Sequence, residues 1–312
     1  MTRFADDKRQ QLLAGLVEYS VSHEALAGAT TEARRQSLVE QMVESMRRIE
    51  FVKRISIKNI SPVRSDPERS LFDPLRAASL HFRNGNLDEA FWLVFLATHF
   101  GKHLKDQWRL TRDIYRGDGV SPWTFARVAN NPDAFDTWLA AEYERLKGDG
   151  VSRRFGNHRK YETLRPDSAR GTNRVLQSYI AWVGANRQHT GLLSEATEEA
   201  GADPKALFNY LYDSMKDVQS FGRTARFDFL TMVGKLGLAN IEPGIPYLVS
   251  ATGPLAGARL LFGGSKTFNL RAEDLDDKVA ALGAFLNVGM QVMEDALCNW
   301  QKSPDSFIAF RG

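Results

Sequence analysis

Only one cysteine, Cys298, occurs in 312 residues, so no disulfide can close within the chain and no cysteine-built zinc or iron–sulfur centre can form. The fold has to rest on packing, and a reducing, cytoplasmic setting is expected. Apolar runs of membrane-spanning length are missing as well. The charged opening Met1-Thr2-Arg3-Phe4-Ala5-Asp6-Asp7 has no apolar signal core. Neither secretion nor membrane insertion is expected. There is no Walker loop and no Gly-x-Gly-x-x-Gly after a strand, which excludes the usual kinase and dehydrogenase folds. Net charge is nearly absent too: 41 basic against 38 acidic residues leave +3. That balance permits a nucleic-acid partner without demanding one, so local clustering has to decide.

What the chain does have is apolar content, 43% with 11% aromatic, enough to bury a core in one large helical domain or in two lobes sharing a cleft. Leu38, Met42, Met46 and Ile49 repeat at helical spacing, and Leu207, Phe208, Leu211, Tyr212, Met215 and Val218 line one face of a predicted helix. Further helices are expected to begin near Asp88, Asp106, Pro132, Thr172, Asp203 and Thr224, with one long final helix over 274–300. Phe51, Val52, Ile55, Ile57 and Ile60 read as the one short strand. The turn-rich stretch from Ser61 to Pro74 suggests an N-terminal helical extension over 1–71 and a main helical domain over 72–312. Basic residues cluster at Arg47, Arg48, Lys53 and Arg54, at Arg153, Arg154, His158, Arg159 and Lys160, and at Arg223 and Arg226. Taken singly, each cluster fits a solvated surface at least as well as a nucleic-acid contact.

The most informative stretch runs from Val218 to Leu230 and joins two amphipathic helices through a short turn containing Gly222. The next helix would begin with unsatisfied N–H groups that a phosphate oxygen can accept, with Arg223 and Arg226 adding charge and Thr224 beside them. Such contacts position a protein on DNA without reading sequence.

Phe221-Gly222-Arg223-Thr224-Ala225 resembles the hairpin segment of helix-hairpin-helix DNA glycosylases. The wider pattern resembles the alpha-glutamyl/putrescinyl thymine pyrophosphorylase clade 3 group over about 72–312. It is carried by Glu89 through His103, Phe221 through Leu238, and Ala251 through Ala258. The resemblance implies an all-α, glycosylase-like fold with two helical lobes around a cleft. It also implies a double-stranded DNA partner carrying modified bases, no cofactor, no metal and no obligatory protein partner. In glycosylases of this fold an aspartate following the hairpin stabilises the developing sugar cation; here Glu242, in Asn240-Ile241-Glu242-Pro243-Gly244, holds the corresponding place. Asp228 is the competing carboxylate, although it also suits the positive end of a helix dipole. The hairpin lysine of the strand-cutting relatives is replaced by Arg223 and Thr224, and an arginine cannot serve as an amine nucleophile.

A flipped base needs an aromatic and polar cavity. Trp92, His99, Phe100, Lys102 and His103 are the candidates, although Trp92, like Phe95, also suits a core stripe. The four-residue spacing of His99 and His103 lacks the glutamate of a His-Glu-x-x-His zinc motif. The resemblance implies excision of a hypermodified pyrimidine, such as glucosylated hydroxymethylcytosine, from phage DNA. The alternatives are a transferase that replaces a pyrophosphate on a hydroxymethyluracil-derived base with an amino acid or polyamine, and a non-catalytic DNA-binding protein.

Overall fold

The computed structural model of the chain describes residues 2–156 and 162–309, with side chains from Asp6 onward. In chain order the described helices are α1 (Thr2–Ser22), α2 (Glu32–Ile57), α3 (Pro74–Arg83), α4 (Leu87–Phe100), α5 (Arg109–Arg116), α6 (Phe125–Asn130) and α7 (Pro132–Gly148). They continue as α8 (Thr172–Val183), α9 (His189–Ala200), α10 (Pro204–Ser214), α11 (Arg223–Lys235), α12 (Gly253–Gly263), α13 (Ala272–Leu286) and α14 (Met290–Trp300). No strand occurs among the described residues, so the chain is all-α. The expected strand at Phe51 is the end of α2. Ile55 is buried while Phe51 and Ile57 are exposed, which breaks the alternation a strand would require.

The start expected at Asp203 is present, and a further helix, α3, starts at Pro74, where the sequence suggested only an irregular connection. Asp73 and Asp203 each precede a proline and accept two backbone N–H groups of the first turn. The expected long final helix is two helices, because Asn287 adopts the left-handed conformation (φ 50°) and Gly289 then opens α14.

Two compact units partition the chain, residues 1–52 with 243–312 and residues 53–242. This partition does not follow the expected boundary after residue 71. Leu12, Leu16, Leu38 and Met42 share a core with Leu282, Met293 and Trp300, so α1 and α2 pack with the C-terminal helices. In that unit α12 lies almost in contact with the backbone of α14. A Cβ on Gly257 would stand 2.3 Å from the Leu297 carbonyl oxygen, and one on Gly253 would stand 2.7 Å from Cys298 Sγ.

The second unit is built around α4, whose residues from Ala90 to Phe100 are buried except Thr98. A helix apolar on all sides belongs at the centre. Its first turn carries two acids, and both are satisfied by neighbouring elements. Glu89, 3% exposed, accepts from Tyr115 Oη at 2.6 Å and from the Phe125 amide at 2.8 Å. Burial raises its pKa to about 7. Asp88 accepts the His189 amide at 2.7 Å and His189 Nδ1 at 2.8 Å. The remaining imidazole nitrogen, Nε2, then accepts from Tyr179 Oη at 2.7 Å. This arrangement needs a neutral imidazole, and burial pushes the His189 pKa below its usual value although Asp88 pulls the other way.

Two outcomes follow. Gly257→Ala should cost at least roughly 2 kcal/mol in chemical denaturation, through overpacking against backbone. Gly191→Ala, where nothing lies within 4 Å of the added Cβ, should stabilise α9; equal effects would disprove the close helix contact. The second outcome concerns Glu89, which holds its proton more tightly folded than unfolded between pH 4.5 and about 7. Its contribution therefore falls as pH rises through that window. Glu89→Gln reproduces the protonated carboxyl, with its amide facing Tyr115 and its carbonyl facing the Phe125 N–H. Urea unfolding from pH 4.5 to about 7.5 should show the variant gaining about 3 kcal/mol on the parent. A constant gap would show that Glu89 ionises freely in the folded chain.

Candidate nucleic-acid interface

Around Gly222, in the second unit, α10 is joined to α11 by a single 3-10 turn at Met215–Asp217 and an irregular link, so the helix expected to run to Val218 ends at Ser214 and the connection is longer than the short turn the sequence suggested. The link is anchored from beneath. Phe221 is 4% exposed and stacks on Phe95 of α4 at 4.9 Å, and Val218 is buried. The Gln219 amide donates to Ser178 Oγ at 2.8 Å, and its side chain donates to the Ala169 carbonyl. Ser220 takes a left-handed conformation (φ 61°) so that the chain can reverse above Phe221.

With Phe221 pointing in, Gly222 and Thr224 are left exposed at the start of α11. Gly222 has φ −68° and ψ −175°, and no side chain caps the helix. Nothing lies within 4 Å of where a Cβ on Gly222 would stand. Neither backbone conformation nor packing demands glycine here, and a glycine brings no side chain that could cap the first turn of α11.

The two hairpin arginines are packed inward rather than extended into solvent as the sequence suggested. Arg223 is 8% exposed with its guanidinium 4.8 Å from the Phe227 ring centre. Arg226 lies 4.2 Å from the Tyr212 ring and donates to the Tyr212 carbonyl at 2.9 Å. Two cations in the first turn oppose the helix dipole, so they cost the isolated helix some stability while raising the potential an anion meets there.

Both candidate carboxylates are exposed. Asp228 sits on α11, about 9 Å along the axis from Gly222. Beyond α11 the chain folds back so closely that a Cβ on Gly234 would stand 2.3 Å from the Ile241 carbonyl oxygen, and the Glu242 amide donates to the Pro204 carbonyl at 3.2 Å. Glu242 therefore stands at the first residue of α10, a helix about 15 Å long, and the 3-10 turn and the link follow before Gly222 is reached.

The proposed base-pocket residues are not brought together on one surface. Trp92 and Phe100 are fully buried and His99 is 1% exposed. Trp92 Nε1 donates to the Trp123 carbonyl at 2.8 Å, and His99 Nε2 lies 3.1 Å from Thr172 Oγ1. These three belong to the core because α4 is enclosed on every side; His99 was legible only as a polar residue ending an apolar run. Lys102 is exposed and His103 is half-buried in the loop after α4. A groove of about 380 Å³ in the first unit, lined by residues including Arg9, Glu40, Asp305 and Phe307, contains none of the candidates.

The second basic cluster is partly spent on ion pairs. Arg153 pairs with Asp113 at 2.7 Å and Asp149 at 2.8 Å, and Arg154 clasps both oxygens of Asp106 at 2.8 and 2.9 Å. Arg154 holds the Asp106 carboxyl well below the usual range. His158, Arg159 and Lys160 lie outside the described residues. In the first cluster, Arg48 pairs with Asp295 at 2.5 Å. Sequence reasoning missed the Asp88–His189–Tyr179 chain altogether, since its members lie 101 and 10 residues apart.

Gly222→Ser isolates the role of the open helix start. Serine is a good N-cap in this extended conformation, so thermal stability should hold or rise by a few tenths of a kcal/mol. Its hydroxyl would occupy the amides of α11, and affinity for duplex DNA should fall several-fold. Unchanged affinity in a binding titration would remove the helix start from the interface.

Neither a curated protein nor a solved structure matches the chain. The sequence model of alpha-glutamyl/putrescinyl thymine pyrophosphorylase clade 3 matches residues 33–312, nearly the whole chain and every residue of the hairpin. The chain therefore belongs to the alpha-glutamyl/putrescinyl thymine pyrophosphorylase clade 3 family, a clade of enzymes acting on modified bases in DNA.

Proposed function

We propose that the protein is a monofunctional DNA glycosylase that excises a hypermodified pyrimidine, such as glucosylated hydroxymethylcytosine, and leaves an abasic site. The observation that carries the reading is the start of α11: exposed Gly222 and Thr224, no side-chain cap, and two arginines fixed in the same turn. A surface of this kind suits a phosphate of the sugar–phosphate chain.

Glu242 supplies the carboxylate, with Asp228 as the competitor; both are exposed on the hairpin or at its end. In excision the C1′–N bond breaks and its electron pair leaves with the base, which is protonated from solvent. Water then adds to C1′ and gives up its proton, and a carboxylate beside the sugar stabilises the cationic stage between these events. No lysine stands between Val218 and Leu230, so the segment offers no amine for a Schiff base and strand cleavage is not part of the proposed reaction.

One observation favours a second reading. The family's name describes pyrophosphorylase chemistry on glutamyl- or putrescinyl-thymine. In that case an amine would attack the exocyclic carbon of a pyrophosphorylated hydroxymethyluracil, pyrophosphate would leave with the bonding pair, and the glycosidic bond would survive. A Glu242 carboxylate would accept the proton that the attacking amine loses.

Nucleoside mass spectrometry of modified phage DNA incubated with the protein separates these readings. Excision releases free base and transfer yields a heavier nucleoside; neither product from folded, DNA-bound protein would leave a binding protein without chemistry. Glu242→Gln should lower product formation roughly 100- to 10,000-fold with duplex affinity kept. Full activity in that variant, with activity lost in Asp228→Asn, would transfer the role to Asp228.

A further inference from the structure

The loop between α4 and α5 carries a feature that the proposed chemistry has not used. His103 and Gln107 exchange two backbone hydrogen bonds, 3.1 and 2.8 Å, and close a five-residue turn. Inside it, His103 Nδ1 accepts the amides of Lys105 and Asp106 at 3.2 and 3.1 Å, and the Gln107 side chain donates to the Leu104 carbonyl at 2.8 Å. From below, Asp106 is held by Arg154 at 2.8 and 2.9 Å and by Ser152 Oγ at 2.9 Å. Gln107 is kept at φ 54°, a conformation disfavoured for a residue with a side chain. The loop is thus stiffened by its own polar groups, and the Lys102 ammonium lies 5.9 Å from the Trp108 ring centre. At its tip, Leu104 is 63% exposed, and Lys102 and Lys105 on either side are exposed as well.

A single exposed leucine is ordinary on a protein surface. A leucine on a rigid mount between two exposed lysines is a different object. Side chains that unstack base steps are apolar wedges, and the cations beside them meet the phosphates that flank the opened step. A stiff mount also spares the ordering entropy that a floppy loop would lose on insertion.

We propose that this loop enters the base stack of duplex DNA, with Leu104 filling the space left by the extruded nucleotide and Lys102 and Lys105 gripping the adjoining phosphates. The assignment rests on the DNA-base reading above. It makes Leu104 a positioning residue that holds the duplex open, with no contact to the reacting atoms.

The test uses the full chain and a duplex carrying 2-aminopurine beside a hydroxymethylated pyrimidine, with a dye at one end. Dye anisotropy reports binding and 2-aminopurine fluorescence reports unstacking. Wild-type protein should bind and raise the fluorescence. Leu104→Ala should bind within about threefold of wild type yet lose most of the rise at saturation, and Leu104→Met should restore it. Replacing Lys102 and Lys105 by alanine together should weaken binding and reduce the salt slope by about 2. A full rise in Leu104→Ala overturns the wedge, as does wild-type binding with no rise; in both cases the DNA reading survives. Failure of the wild type to bind any duplex instead removes the DNA reading, and the wedge with it.

Discussion

The stack of Phe221 on Phe95 determines which way the hairpin faces. Phe95 is fixed inside the second unit by Tyr179, whose ring centre lies 3.7 Å away, and by Trp92 at 5.7 Å. Phe221 can join this aromatic column only if the chain reverses at Ser220, and that reversal turns Gly222 and Thr224 outward. The open start of α11 is thus a by-product of an apolar contact one residue earlier. Withdrawing Phe221 would expose a large ring to water and at the same time free the turn to reorient.

The column is in turn located by polar groups at the other end of α4. Asp88 and Glu89 occupy the first turn, where negative charge is favoured by the helix dipole, and each also satisfies a second element. Glu89 receives the start of α6 through the Phe125 amide, and Asp88 receives the start of α9 through the His189 amide. The phenols of Tyr115 and Tyr179 complete these groups. Polar groups this well matched are costly to rearrange, because breaking a bond to the buried Glu89 or His189 leaves it unsatisfied in a low-dielectric interior. They specify one arrangement of α4, α6, α8 and α9, and the hairpin inherits that precision through Phe95.

Much of the architecture was legible because it depends on local chemistry. Asp203-Pro204 announces a helix start, and Gly222 between two amphipathic segments announces a turn, whereas Asp73-Pro74 is hidden in a stretch that reads as a connection. What could not be read depends on neighbours distant in sequence. His99 ends an apolar run and reads as a pocket residue until Thr172 is seen beside it. Arg223 and Arg226 read as free charge until the rings of Phe227 and Tyr212 are placed under them. The β-branched residues from Val52 to Ile57 suggest a strand by composition, yet they continue a helix that had already formed 20 residues earlier in the chain. Pairing of α1 and α2 with the C-terminal helices leaves no local trace at all.

The separation of Glu242 from Gly222 bears on how one DNA strand would meet both. The length of α10 alone, about 15 Å, corresponds to roughly four steps of 3.4 Å along one strand. A phosphate held at the start of α11 would therefore belong to a nucleotide several positions from the one whose base reacts at Glu242. Asp228 lies nearer the turn, about 9 Å by the same measure, and would address a nucleotide one or two steps closer. Distance from the phosphate grip thus gives the two carboxylates different registers on the strand. A bound abasic analogue, moved stepwise relative to a fixed end, would distinguish those registers even in a variant that performs no chemistry. Excision and group transfer would share this geometric requirement if each acts on an extruded nucleotide. They diverge only in whether the carboxylate lies beside C1′ of the sugar or beside the substituent on the pyrimidine ring.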